Sequence, residues 1–321
     1  MRGGIDLGGT KIQAVVVDSK WNVVGQSRRP TPTKGKPAGV ANEMANALRE
    51  AASEAGIEPG DLTSAGVGSP GDVDETTGSV SQARNLPGWE GTFETGPWLA
   101  DALGTQVFVG NDVGVATQAE AKLGAGRDYN SLIGVFWGTG VGGGIILNGK
   151  PWLGRGAAGE IGHMVVKMDG ARCTCGRRGC MEAYAGRGAM EARARKRVNQ
   201  GEKTALFRIM EERGRDRLSS GIWERALARD DHMAIDLLEE AVEALGAGVA
   251  SAVNLLDPEA VVIGGGLGIR LGEPWVERIR TAMMPHLFVD NDPPPILLAE
   301  LGDLGGAQGG ALLAARRAQA S

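Results

Sequence analysis

Apolar positions recur along this chain with two periods, and each change of period marks an element. Short runs rich in β-branched residues at 3–8, 12–18 and 22–27 predict three strands, separated by Gly8-Gly9 and by an Asp18-Ser19 turn. Val40, Met44, Leu48 and Ala51 then repeat at helical spacing and predict a helix over 38–55, closed by Gly56. Strands are expected at 64–69 and 106–110, with a loop rich in Pro, Gly and Asp between them, then a helix over 113–123 stopped by Gly124. A second strand–turn–strand covers 132–137 and 144–147, and cysteine and glycine fill 154–182. Helices are expected over 186–200, 205–213, 219–229 and 233–255. A strand over 260–263 with three glycines behind it, a helix over 273–285, a strand over 296–300 and an Ala-rich helix over 306–319 complete the chain. Strands alternating with helices predict an α/β protein.

Residues 5–18 echo residues 135–148, each reading as strand, glycine turn, strand. The echo predicts duplicated lobes that each present a turn to a shared ligand. The expected division is a small lobe of residues 1–112 with 304–321, and a large lobe of residues 113–303 that carries the cysteine loop.

Composition narrows the function classes. The 321 residues are 42% hydrophobic and carry a net charge of −5, an ordinary globular balance with room for two domains. A mildly acidic chain is a poor partner for polyanions, so neither nucleic acid nor an anionic membrane is expected. The 52 glycines beside only 14 prolines point to tight turns and close backbone approaches rather than linkers. All three cysteines fall between 173 and 180. With Asp6 interrupting any export signal, they argue for a metal or a reactive thiol in a cytoplasmic protein rather than for disulfides. Residues 129–149 lack charge and are long enough to span a bilayer, yet six glycines between 138 and 149 favour a hairpin.

Two familiar signatures match by accident. Gly138-x-Gly140-x-x-Gly143 runs on into an apolar β segment instead of opening a helix, so a dinucleotide fingerprint is rejected. Gly144-x-x-x-x-Gly149-Lys150 is followed by Pro151, where a P-loop needs a hydroxyl for magnesium. Backbone amides bared by glycine still cradle phosphate well. Gly8-Gly9-Thr10-Lys11 offers amides, a hydroxyl and a cation; Gly138-Thr139-Gly140 offers amides and a hydroxyl; Gly264-Gly265-Gly266 would let a flat nucleotide approach. Each alone reads equally as a plain turn. Together, with Asp6 placed to hold hydrated Mg²⁺, they point to nucleotide phosphate.

His163, Cys173, Cys175 and Cys180 have the spacing of a closed Cys₃His set for structural Zn²⁺, with Gly176 and Gly179 permitting a knuckle. A three-ligand site and a group of inert buried thiols are the alternatives. Asp112 follows Asn111 at a strand end, where α/β proteins place ligands, and it reads equally as a helix N-cap. Glu160 and Glu182 flank the knuckle as acceptors for vicinal hydroxyls or as solvated surface. Asn85 is a turn residue or a further hydroxyl ligand.

At these residues the sequence resembles the ROK family (repressors, open reading frames, kinases), on its sugar-kinase side and among the bacterial glucokinases. The matching text is Asp6-x-Gly-Gly-Thr-Lys11, Gly68-Ser-Pro-Gly71, Asn85-Leu-Pro-Gly-Trp89, Gly110-Asn-Asp112, Gly138-Thr-Gly-Val-Gly-Gly-Gly144, Gly159-Glu-Ile-Gly-His163, Cys173-x-Cys-Gly-x-x-Gly-Cys-x-Glu182 and Val262-Ile-Gly-Gly-Gly266, in family order across nearly the whole chain. The resemblance implies a two-lobed, actin-like, hexokinase-type fold built from ribonuclease-H-like halves that close on ATP and sugar. It implies Asp112 as general base and sugar contacts at Gly71, Asn85, Asn111, Asp112, Glu160, His163 and Glu182. Nucleotide contacts would be Asp6, Gly8, Gly9, Thr10, Lys11, Gly138, Thr139, Gly140, Gly264, Gly265 and Gly266, with Mg²⁺ on the phosphates and zinc on His163 and the three cysteines. The implied reaction is phosphorylation of a hexose, glucose first; another hexose, an N-acetylhexosamine, or polyphosphate as donor are its variants. A homodimer or homotetramer is the implied assembly. Where relatives carry a Ser-Gly pair after the glutamate, Tyr184-Ala-Gly186 stands here, a change at the pocket edge. The family's repressors add an N-terminal winged helix-turn-helix, for which a phosphate strand beginning at residue 3 leaves no room, so a sugar-sensing repressor is disfavoured.

Overall fold

The computed structural model describes residues 1–83 and 86–319. Arg2–Leu7 (β1) and Lys11–Val17 (β2) pair antiparallel with Ile5 opposite Ala14, and Val23–Pro30 (β3) extends the pair beyond β2. Pro37–Glu54 (α1) starts on a proline whose fixed φ suits a first turn. Its buried face is the one the spacing predicts: Val40, Met44, Leu48 and Ala51 are fully buried in one core with Ile5, Ile12 and Val67. Ala65–Ser69 (β4) follows, then a hairpin of Asp72–Asp74 (β5) and Ser79–Ser81 (β6), the helix Thr95–Leu103 (α2), Val107–Asn111 (β7) and Asp112–Leu123 (α3). The small hairpin and α2 occupy the segment that composition marks as loop, because Pro and Gly at the first turn of α2 disguise a helix start.

Leu132–Trp137 (β8) and Val141–Leu147 (β9) form the second antiparallel hairpin, with Val135 opposite Gly143, and Lys150–Pro151 (β10) is a short edge strand. A strand follows Gly140 where a dinucleotide fingerprint would open a helix, in agreement with the rejection of that motif. Helices then follow as Glu182–Ala185 (α4), Arg187–Asn199 (α5), Leu206–Glu212 (α6), Ser220–Leu227 (α7) and His232–Leu256 (α8). Ala260–Gly264 (β11) leads directly into Gly265–Leu271 (α9), then Glu273–Met283 (α10), Ile296–Leu298 (β12) and Gly305–Ala318 (α11). The glycine run behind β11 is therefore a helix start. Gly265 has φ +82°, and a Cβ there would stand 2.5 Å from the Trp137 carbonyl oxygen, so the α9 entry tolerates no side chain.

The two sheets have one plan. Their strand orders are β3-β2-β1-β4-β7 and β10-β9-β8-β11-β12. In each, an opening hairpin sits beside two strands parallel to its first member: β4 and β7 in one sheet, β11 and β12 in the other. The echo between residues 5–18 and 135–148 thus marks equivalent strand pairs. Two such sheets with flanking helices make the duplicated, ribonuclease-H-like α/β fold of actin-like ATPases.

The compact units differ from the division expected at residue 112. One comprises Met1–Arg127, Pro151–Ala158 and the segment from Glu300 onward; the other comprises Asp128–Lys150 and Gly159–Ala299. Helix α3 stays with the first unit because it packs backbone to backbone on α11, where a Cβ on Gly309 would lie 2.2 Å from the Val115 carbonyl oxygen. Glu120 of α3, only 3% exposed, accepts from the amides of Ala125, Glu300 and Leu301 and so pins the returning chain to the same unit. On the sheet side α11 lies so close to β4 that a Cβ on Gly66 would stand 2.0 Å from the Gly310 carbonyl oxygen. The second unit has its own core, in which Trp137, Met181, Met190, Leu206 and Trp223 are fully buried. Among the described residues no helix is long and apolar enough to cross a membrane.

Candidate active site

In the first unit the β1–β2 turn closes with the Gly8 amide donating to the Lys11 carbonyl at 2.9 Å, and the Thr31 hydroxyl donates to the Gly8 carbonyl at 2.6 Å. Lys11 Nζ lies 2.8 Å from Asp303 Oδ1, a partner the sequence gives no means of finding. Asp6, at the end of β1, faces α11: a Cβ on Gly306 would come 2.7 Å from the Asp6 carboxyl carbon. Burial first, then the charge of Asp112, pushes the Asp6 carboxyl up to about 7; Lys11 pulls it down and Asp303 adds to the rise. Asp6 thus feels the charge of Asp112, and carboxylates placed so suit a hard divalent cation.

Asn111 and Asp112 stand where β7 ends and α3 begins. Asp112 reads in the sequence as a possible helix N-cap, but Asn111 takes that place, its Oδ1 accepting from the amides of Val113 at 3.1 Å and Gly114 at 3.0 Å. Asp112 is the first helical residue, with Oδ1 2.9 Å from the Val113 amide. Its carboxylate sits in the first turn of α3, at the positive end of the helix dipole. Gly71 occupies the turn between β4 and β5 at φ +97°. Asn85 lies outside the described residues.

In the second unit the donor atoms of His163, Cys173, Cys175 and Cys180 all lie within 4.8 Å of one another. Cys175 Sγ is 3.7 Å from Cys180 Sγ, and Cys173 Sγ is 3.8 Å from His163 Nδ1. Tetrahedral zinc with bonds of ~2.3 Å holds sulfurs about 3.8 Å apart, so the four groups are compatible with this ion. The cysteines are free thiols. Gly176 and Gly179 take φ +91° and +79°, the left-handed turns that the knuckle requires. Burial and its two cysteine neighbours push the Cys180 thiol up to about 12. Burial also raises Cys175, but hydrogen bonding from the Arg177 amide and the other thiols outweighs it and draws the group down to about 7.

Glu160 and His163 are neighbours, with His163 Nε2 3.9 Å from Glu160 Oε2. The imidazole therefore shows one nitrogen to the thiols and the other to a carboxylate. Glu182 links the knuckle to the β8–β9 turn. Its Oε2 accepts from the Val141 amide at 2.9 Å, and its Oε1 accepts from the Thr174 hydroxyl at 3.3 Å. Gly140 makes this possible, since a Cβ there would lie 2.2 Å from Glu182 Oε2. The Gly138–Gly140 turn closes with the Gly138 amide on the Gly140 carbonyl at 2.9 Å. The second glycine run is close by: a Cβ on Gly138 would stand 3.8 Å from the Gly266 nitrogen.

Sequence reasoning missed Arg187. This first residue of α5 donates from Nη2 to Thr139 Oγ1 at 2.8 Å and from Nη1 to Ser220 Oγ at 2.9 Å. The signal available was a basic residue directly after Gly186, where the chain departs from the family's Ser-Gly pair.

Two sheets of one order, each with a glycine hairpin turn, together with a carboxylate at a strand end and a Cys₃His knuckle, define an actin-like phosphotransferase class. The chain matches the ROK family over residues 2–317 and belongs to it. Among its relatives, the glucokinase of Streptomyces coelicolor is 32% identical over 315 residues, covering 97% of this chain and 96% of that protein. Two solved structures are similar throughout. The ROK hexokinase from Thermus thermophilus is 33% identical with TM-score 0.80, covering 99% of both chains. A ROK family glucokinase from Streptomyces griseus in complex with glucose and AMPPNP is 32% identical with TM-score 0.83, covering 98% of this chain and 99% of that one.

Proposed function

We propose that the protein is a sugar kinase that transfers the γ-phosphoryl group of ATP to a hexose, giving glucose 6-phosphate from glucose. The sugar hydroxyl attacks Pγ in line, the new O–P bond forms as the bond from Pγ to the β,γ-bridging oxygen breaks, and ADP leaves. Asp112 takes the hydroxyl proton as negative charge develops on the attacking oxygen, help worth ~10²–10⁴-fold. The observation that carries this role is the place of Asp112, the first residue of α3 directly after the C-terminal end of β7, where α/β proteins hold their ligands. With its oxygen committed to the cap, Asn111 donates from its amide nitrogen to a sugar hydroxyl.

On the donor side, the turn at 8–11 and the turns at 138–140 and 264–266 hold phosphate and nucleotide through backbone amides and the Thr10 and Thr139 hydroxyls. Asp6 would hold hydrated Mg²⁺, which would supply neutralisation of the phosphate charge. Glu160, His163 and Glu182 bind sugar hydroxyls, and His163 and the three cysteines would hold zinc, which would fix the loop that carries them. The His163 ring nitrogen that faces the thiols would be the ligand, leaving the other for the sugar. The glucokinase relatives support glucose as acceptor and ATP as donor.

Asp112→Asn tests the role. It keeps the shape of the side chain and removes the base, so kcat is expected to fall by about 10²–10⁴-fold while glucose affinity by calorimetry stays within about threefold. A kcat near wild type would take the base role from Asp112.

A further inference from the structure

Arg187 sits against the turn assigned to phosphate and is built into it from both directions. The Arg187 amide donates to the Gly138 carbonyl at 3.1 Å, and the next amide, of Gly188, donates to the Thr139 carbonyl at 3.0 Å. Its guanidinium spans the Thr139 and Ser220 hydroxyls at 2.8 and 2.9 Å. Ser220 borders the second glycine run, since a Cβ on Gly266 would stand 3.8 Å from Ser220 Oγ. The guanidinium therefore lies on a frame that joins the 138–140 turn to the 264–266 turn, inside one compact unit.

The partners are what make this arginine unusual. Thr139 and Ser220 are neutral acceptors, and among the described residues Arg187 forms no ion pair, whereas Arg193, Arg195 and Arg197 on the same helix are all paired with carboxylates. Burial lowers the Arg187 pKa; Glu191 works against this and Arg217 adds to it. A guanidinium stays charged in proteins, so a half-buried positive charge is held here beside the 138–140 turn, with Glu191 near enough to be felt but, among the described residues, no carboxylate in ion-pair contact. Thr139, accepting from Arg187, keeps its own O–H to donate. Charge, hydroxyl and amides converge on the same place.

We propose that Arg187 is a phosphate-binding residue for the polyphosphate tail of the donor nucleotide. Its fork reaches one phosphate oxygen while the bond to Thr139 orients that hydroxyl towards the same group. The inference rests on the kinase reading for the identity of the ligand, but its test reads binding rather than turnover.

Calorimetry of ADP and of adenosine on the full-length protein, wild type against Arg187→Met and Arg187→Lys, decides the matter. Loss of a charge-assisted hydrogen-bonding partner is expected to weaken ADP by about 10–100-fold in Arg187→Met, with adenosine and glucose affinities unchanged. Arg187→Lys should recover part of the loss, because it restores the charge but not the fork. In turnover, KM for MgATP should rise while KM for the sugar stays put. ADP affinity within twofold of wild type in a folded Arg187→Met would overturn the proposal. So would equal losses for ADP and adenosine, which would mark Arg187 as a brace for the turns. If Arg187→Met does not fold, ADP affinity unchanged in Arg187→Lys overturns it and a selective loss of ADP over adenosine sustains it. A wild-type protein that binds ADP through Arg187 but phosphorylates no sugar would sink the kinase reading alone.

Discussion

Asp6 is predicted to make the folded protein less stable as pH rises, and Asp6→Asn is predicted to relieve that. The carboxyl moves from an ordinary 3.8 to about 7 because it is buried beside Asp112, with Lys11 offsetting only part of the effect. That interval corresponds to up to about 4 kcal/mol of preference for the neutral form in the folded state. Below about pH 4 the group is protonated in folded and unfolded chains alike, so it contributes no pH dependence. Between about 4 and 7 the unfolded chain gives up the proton and the folded chain keeps it. The folded state then binds more protons, and stability falls with rising pH until the folded group also ionises. Asp6→Asn keeps the shape and never ionises. Urea unfolding at pH 4 and pH 8, without nucleotide, should therefore show the variant close to wild type at pH 4 and about 2–4 kcal/mol more stable at pH 8. The same variant should lose most kcat/KM for MgATP, since it cannot hold the hydrated metal. A stability difference equal at both pH values would refute the reasoning, because it would mean that the Asp6 charge is not held at a cost in the empty site.

Cys175→Ala should lose zinc by elemental analysis and raise KM for the sugar; because Glu182 spans from the knuckle to the Val141 amide, KM for MgATP should rise too. Full activity without zinc would leave the cysteines as packing residues. Gly66→Ala forces a methyl group into the Gly310 carbonyl oxygen, where backbone cannot give way, and should cost about 3 kcal/mol in urea unfolding. An unchanged midpoint would mean that α11 does not lie as close to β4 as described. In the nucleotide complex, wild type should release a proton on binding MgATP near pH 6, because metal at Asp6 drives that carboxyl to ionise; equal heats in buffers of different ionisation enthalpy would argue against it.

Much of this molecule was legible in its sequence because the relevant signals are local. The periodic face of α1, the two hairpins and the cysteine spacing each depend on residues near one another in the chain, and each appears where expected. What was hidden depends on distant contacts. Helix α9 begins in a glycine run that reads as a turn, and only the nearby Trp137 backbone makes glycine necessary there. Helix α3 was expected in the other lobe, because nothing in residues 113–123 reveals that α11 will lie against it. Lys11 finds Asp303 across nearly the whole sequence. Asn111 and Asp112 offer the same capping chemistry on paper, and the backbone angle at the strand end decides between them. Arg187 was overlooked because its meaning lies in what it lacks: an arginine becomes informative when its neighbours are hydroxyls rather than carboxylates.

The central claim is chemical, and one assay bears on it most directly. Purified protein is given MgATP with glucose, and glucose 6-phosphate and ADP are followed together, with mannose, fructose, N-acetylglucosamine and polyphosphate run alongside. The account predicts one glucose 6-phosphate for each ADP, with glucose the preferred acceptor. No phosphorylation of any sugar from either donor, by protein that is folded and loaded with zinc, would contradict it.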